Sequence, residues 1–168
     1  GAGETYVSPR VHLAYGESGL DSVAARLHRM VRSFSVHPTT PRPLVLNTWE
    51  AVYFDHDPTR LLTLAEAAAS VGVERFVLDD GWFRGRPDDR SGLGDWYIDD
   101  VKWPDGLRPL ADHVHGLGMQ FGLWFEPEMV NPVSDLATQH PEWVLEASPD
   151  SSTWRHQKVL DLDNPAAA

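Results

Sequence analysis

Two adjacent carboxylates, Asp79 and Asp80, follow the apolar run Phe76-Val77-Leu78 and precede Gly81. Both can reach one mouth only if the backbone turns sharply between them, and glycine permits that turn. Ionised carboxylates are pure acceptors, each able to take more than one hydrogen bond, and such charge-assisted bonds are the stronger kind. The chemistry this suits is gripping neighbouring hydroxyls on one sugar ring. The structural alternative has Asp80 capping the next element and Asp79 pairing with an arginine such as Arg84 or Arg86. Trp49 and Trp124 end two other apolar runs and could wall a pocket on either side of the acid pair. An indole face is flat and electron-rich, so it can hold the C–H face of a pyranose without consuming a hydrogen bond. For either tryptophan alone, packing beneath a loop is the competing use.

Glu126 and Glu128 flank Pro127 and invite assignment as general acid and nucleophile. Geometry argues against it. Retaining glycosidases need carboxylates about 5 Å apart on opposite sides of the scissile bond, whereas residues two apart on an extended segment point the same way. A structural role, bonding loop amides or the Arg155 guanidinium, is expected instead. Asp88-Asp89-Arg90 and the stretch from Asp95 to Asp100, with Trp96 and Tyr97, read as a solvated loop bordering the site. The eight histidines show no metal-ligand spacing; His113 and His115 lie two apart on a predicted helix and face differently. No metal or cofactor is expected.

The elements that must position these residues follow from periodicity. Tyr6 to Tyr15 alternates loosely and predicts a strand, followed by an amphipathic helix over 18–34 and a linker with Pro38, Pro41 and Pro43. Leu44-Val45-Leu46 is a short buried strand opening into Asn47-Thr48-Trp49-Glu50. Asp57-Pro58 supplies an N-cap and a preset first helical residue for a helix running to Gly72. A strand over 76–78, a long polar loop over 82–104, a helix around Leu107 to Leu117 and a strand over 120–124 complete the pattern. Pro132 to His140 is a short helical candidate, and Val159 to Asp163 reads as a strand. Strand, helix, strand, helix, strand predicts right-handed crossovers and a parallel sheet. The strands turn acidic and aromatic at their carboxyl ends, where (β/α)8 barrels and doubly wound sheets both place ligands. A full barrel takes about 250 residues, so three clear βα units and part of a fourth predict a partial barrel, incomplete at both ends.

The 168 residues, 42% hydrophobic, allow one ordinary core. A formal charge of -11 argues against nucleic acid and anionic membrane surfaces as partners and leaves a neutral sugar unaffected. The absence of cysteine favours a cytoplasmic setting, and no apolar run approaches the roughly 20 residues of a membrane span.

Asn47-Thr48-Trp49-Glu50-Ala51, Leu78-Asp79-Asp80-Gly81-Trp82-Phe83, Gly94-Asp95-Trp96 and the block from Gly118 to Met129 (GMQFGLWFEPEM), in this order and spacing, closely resemble bacterial α-galactosidases of glycoside hydrolase family 36. The resemblance covers nearly the whole chain. It implies that residues 1–40 are the last strand of an N-terminal β-supersandwich with a connecting helix and linker, and that 41–168 is the N-terminal part of a (β/α)8 catalytic barrel. It further implies that Trp49 and Trp124 line a galactose subsite, that Asp79 and Asp80 hold the 4- and 6-hydroxyls, and that Arg155 lies on the substrate side.

For the parent protein the resemblance implies retaining hydrolysis of terminal α-linked galactose, with oligosaccharides of the raffinose or melibiose class as substrates and homo-oligomerisation left open. The family's nucleophile is an Asp in a Lys-Trp/Tyr-Asp motif on a later strand, followed by an acid/base Asp. Neither motif occurs here, so both catalytic acids are expected beyond Ala168 and the isolated piece is expected to be inactive. Readings left open are an α-N-acetylgalactosaminidase, a raffinose-synthase-like transferase and a noncatalytic sugar-binding module.

Overall fold

The computed structural model describes residues 3–146 and 153–167. Ala168, beyond which the nucleophile and the acid/base are expected, lies outside the described residues. Contacts divide the chain into two compact units, 1–42 and 43–168.

In the first unit, helix α1 spans Leu20–Arg32. Arg29 and Arg32 sit in its last turn, where positive charge complements the helix dipole, and the Ser33 amide bonds the Arg29 and Met30 carbonyls. None of its side chains is buried. The predicted strand over Tyr6 to Tyr15 does not form: residues 4–16 join no ladder. Alternation marks a face that could be half-buried, but a strand exists only when a neighbour takes its amides and carbonyls. Among the described residues this segment has no such neighbour, and Tyr6, Val7, Val11 and Leu13 are all exposed.

The second unit is built on three parallel strands, β1 Val45–Asn47, β2 Arg75–Leu78 and β3 Gln120–Leu123, in the order β1-β2-β3. The register pairs Val45 with Arg75 and Arg75 with Gln120, so the carboxyl ends lie level. Between β1 and β2 come α2, Trp49–Val52, and α3, Pro58–Ser70. The α3 start is the one the sequence predicts: Asp57 accepts the Arg60 amide at 2.7 Å with Pro58 in the first turn. Helix α4, Arg108–Gly116, connects β2 to β3. Leu61, Ala65 and Ala68 of α3 and Leu110 and Val114 of α4 share a core with Phe76 and Leu78 of β2. Each buried leucine of this kind contributes about 1.5–3 kcal/mol. This is a parallel α/β arrangement with flanking helices, consistent with the opening, unclosed part of a (β/α)8 barrel.

Three expectations change. The β2–α4 connection is solvated only in part: Asp88, Arg90, Tyr97 and Asp100 are exposed as expected, but Trp82, Phe83, Leu93 and Trp103 are buried within it, Phe83 bridges Ile98, and Asp95 accepts the amides of Asp135 and Leu136. The short helix after β3 is trimmed to α5, Asp135–Gln139, because Ser134 caps it by accepting the Ala137 amide. The strand predicted at 159–163 belongs to no fourth parallel unit. It runs over Lys158–Leu160 as the centre of a small antiparallel sheet, between Met129–Val130 and Val144–Leu145. An apolar run carries no direction, and its partners lie in the excursion that follows β3. No helix among the described residues is long and apolar enough to cross a membrane.

Candidate functional site

At the carboxyl ends of the three parallel strands lies an open cleft of about 490 Å³. Asn47 lines it from the end of β1, Trp49 and Glu50 from the start of α2, Asp79 and Asp80 from the end of β2, and Trp124 and Glu126 from the segment after β3, together with Arg155. Five residues singled out from the sequence, Trp49, Asp79, Asp80, Trp124 and Arg155, therefore meet at one place.

The two carboxylates are held differently. The Asp79 amide donates to the buried Thr48 hydroxyl at 3.0 Å, and its carboxylate folds back so that Oδ1 accepts the Asp80 amide at 2.7 Å. Its Oδ2 takes a hydrogen bond from the Asn47 side-chain amide. After the pair, Gly81 has φ 107°, a conformation that favours glycine, and a Cβ there would crowd the Phe54 ring at 3.0 Å. The chain thereby swings Asp80 onto Arg86, whose Nε and Nη2 donate to its two oxygens at 2.8 and 2.7 Å. The partner of Arg86 is thus Asp80, not Asp79, and Asp80 caps no helix. Arg86 is only 1% exposed, while Asp80, 6% exposed, keeps an edge on the cleft.

Asn47 serves a second neighbour: its Oδ1 accepts the Trp49 amide at 2.8 Å. That side-chain-to-backbone bond draws the chain out of β1 into α2, so Trp49 lies in a helical turn instead of ending a strand. The Trp49 ring is fixed edge-on by Tyr53 and Phe54, each 5.1 Å away between centroids. Across the cleft the Trp124 amide extends the ladder to the Leu78 carbonyl at 2.9 Å, and its carbonyl accepts the Trp82 indole N–H at 3.0 Å. Trp96 meets the Trp124 ring at 6.2 Å. Both cleft tryptophans remain half-exposed.

Arg155 sits in a single 3-10 turn, Trp154–His156, at φ 53°, an uncommon conformation for a residue with a Cβ. Its guanidinium pairs with Asp89 at 3.1 Å, not with Glu126 or Glu128 as the sequence suggested. Burial, and then the negative charge of Glu128, push the Glu126 carboxyl above its ordinary pKa. Behind the acid pair, Lys102 donates to the Gly81 carbonyl at 2.9 Å, and burial lowers its pKa. His56 is buried with neither ring nitrogen hydrogen-bonded; burial and the nearby Lys102 charge lower its pKa to about 4, so it is neutral at pH 7. Among the described residues no three His, Asp or Glu converge as a metal cage.

Nothing in the sequence marks Asn47 or Lys102 for this work, and there Arg86 stands only as one of two candidate partners for Asp79. The residues that face the cleft are acids, tryptophans, an amide and one arginine, a set suited to a neutral polyhydroxylated ligand and unsuited to an anion.

Consecutive parallel βα units that bring acids and aromatics to one cleft define the class: a parallel α/β protein, consistent with the opening, unclosed part of a (β/α)8 barrel, with a candidate ligand site at the strand carboxyl ends. The chain belongs to the Melibiase family, whose profile matches residues 5–168. It is 47% identical over 167 residues to an alpha-galactosidase of Escherichia coli, covering 98% of this chain and 24% of that protein. The GH36 alpha-galactosidase AgaA of Geobacillus stearothermophilus, crystallised as variants with raffinose or with stachyose, is 42% identical in both structures. The raffinose complex has a TM-score of 0.79 over 89% of this chain and 21% of that one. The stachyose complex has a TM-score of 0.81 over 91% and 22%. The chain thus spans about a quarter of the length of the curated relatives it matches.

Proposed function

We propose that this chain forms the galactose-binding face of a retaining α-galactosidase acting on terminal α-linked galactose, with raffinose, melibiose and stachyose as substrate candidates. The observation that carries the reading is the meeting of Trp49, Trp124, Asp79, Asp80 and Arg155 at one cleft. Trp49 and Trp124 wall the pyranose, and the two carboxylates accept its 4- and 6-hydroxyls. Each carboxylate oxygen offers two acceptor sites, so the bonds from Asn47, from Arg86 and from the Asp80 amide leave one free on every oxygen. The axial 4-hydroxyl is what distinguishes galactose from glucose, and Arg155 stands on the substrate side.

Asp80, Glu126 and Glu128 do not suit the covalent steps. Asp80 is committed on both oxygens to a guanidinium, which weakens it as a nucleophile. Glu126 and Glu128 share one segment and cannot flank a glycosidic bond. We therefore assign the nucleophile and the acid/base to positions beyond Ala168 in a longer parent protein, in which residues 1–40 join an N-terminal β-supersandwich to a (β/α)8 barrel beginning near residue 41.

The test is Asp79→Asn in the intact protein. A neutral amide is a weaker acceptor and presents N–H where a hydroxyl proton must go. kcat/KM for an aryl α-galactoside is expected to fall roughly 10- to 100-fold, with the thermal midpoint little changed. Unchanged kinetics would remove the hydroxyl-gripping role.

A further inference from the structure

The least exposed charged side chain in the cleft's surroundings is Arg86, and every hydrogen bond it makes ends on Asp80 or on its own loop. Nε and Nη2 grip Asp80 side-on, Nη1 donates to the Ser91 carbonyl at 2.8 Å, and the guanidinium carbon lies 5.8 Å from the Phe54 and Phe83 ring centres. The loop beneath it is itself tied down. Asn131, fully buried, accepts the Leu93 amide at 2.8 Å and donates to the Arg90 carbonyl at 3.1 Å, while the Ser91 hydroxyl donates to Gly85.

We infer that Arg86 is a positioning residue for ligand selection: its fork fixes the plane of the Asp80 carboxylate so that the remaining acceptor sites meet one sugar hydroxyl. The inference rests on the galactose-binding reading above. A buried ion pair is weak evidence for stability, since apolar residues of the same volume often serve a fold as well. Here the paired carboxylate also faces the cleft, which gives the pair a use beyond packing. A bidentate contact sets orientation as well as distance. Lysine keeps the charge but provides a single point contact, so it would leave the carboxylate free to rotate.

The experiment compares the intact protein with its Arg86→Lys, Arg86→Gln and Asp80→Asn variants on an aryl α-galactoside and its 4-deoxy and 6-deoxy analogues. Thermal unfolding is recorded for each variant. Asp80→Asn identifies the hydroxyl that Asp80 takes, because its loss in kcat/KM should vanish on the analogue lacking that group. Arg86→Lys is expected to cost on the order of 10- to 100-fold on the galactoside and to lose that cost on the same analogue. An equal cost on all three substrates means a structural role and overturns the inference. So do unchanged kinetics, an Asp80→Asn cost insensitive to both deletions, or failure of both Arg86 variants to fold. Wild-type protein without activity on the galactoside would instead overturn the galactosidase reading, a result distinct from an active enzyme indifferent to Arg86.

Discussion

Replacing Asn47 by Ala removes two bonds that share one side chain. One comes from its amide nitrogen to Asp79 Oδ2, and the other goes from the Trp49 amide to its Oδ1. Asp79 is 8% exposed, and the Asp80 amide, its other donor, acts on Oδ1, so Oδ2 is left to whatever water the cleft admits. A hydrogen bond to a charged group contributes about 1.5–3 kcal/mol. Access of water from the open side moves the stability loss toward the lower end, about 1–2 kcal/mol, or a few degrees in Tm for a domain of ordinary size. The effect on function should be larger than that loss implies. One substitution releases an acid and a tryptophan from neighbouring elements of the cleft, and misplacement by about 1 Å can cost on the order of 100-fold in rate. The assay is kcat/KM for an aryl α-galactoside on the intact protein, with Tm measured in parallel. A lowered Tm with kcat/KM intact would refute the idea that Asn47 aligns the site.

Trp124→Ala should raise the Kd for galactose roughly tenfold, in keeping with an aromatic anchor, while disturbing Tm less than loss of a buried core tryptophan would; titration calorimetry read beside thermal melts checks this, and a large fall in Tm with unchanged Kd would restore the packing role. His56 binds a proton less readily folded than unfolded, so between pH 6.5 and about 4 the unfolded chain holds more protons and stability falls as pH drops through that window. The full shift corresponds to on the order of 3 kcal/mol. His56→Phe should flatten that part of the Tm–pH curve, and parallel curves for the two proteins would contradict the assignment.

The features legible in the sequence were those set by local chemistry. Asp57-Pro58 starts α3 because a carboxylate three residues ahead of a free amide caps it whatever the surroundings. The three parallel strands were legible as short apolar runs ending in polar residues. What depended on distant partners was not. Tyr6 to Tyr15 has the alternation of a strand but, among the described residues, no neighbour strand to complete it, and Lys158–Leu160 has a strand's composition but takes its direction from residues some 14 to 30 positions earlier. The site divides in the same way. The adjacency of Asp79, Asp80 and Gly81 is written in the chain. The burial of Arg86 depends on Phe54 and Phe83 closing around it, and nothing in its polar loop marks it as interior. Asn47 reads only as a polar residue at a strand end until Asp79 is brought against it.

The most direct test of the central claim is a crystal structure of the intact protein with galactose. The pyranose is expected between Trp49 and Trp124, with its 4- and 6-hydroxyls within hydrogen-bond distance of the Asp79 and Asp80 carboxylates. Galactose bound away from these four residues, or seated with its hydroxyls turned from both acids, would contradict it.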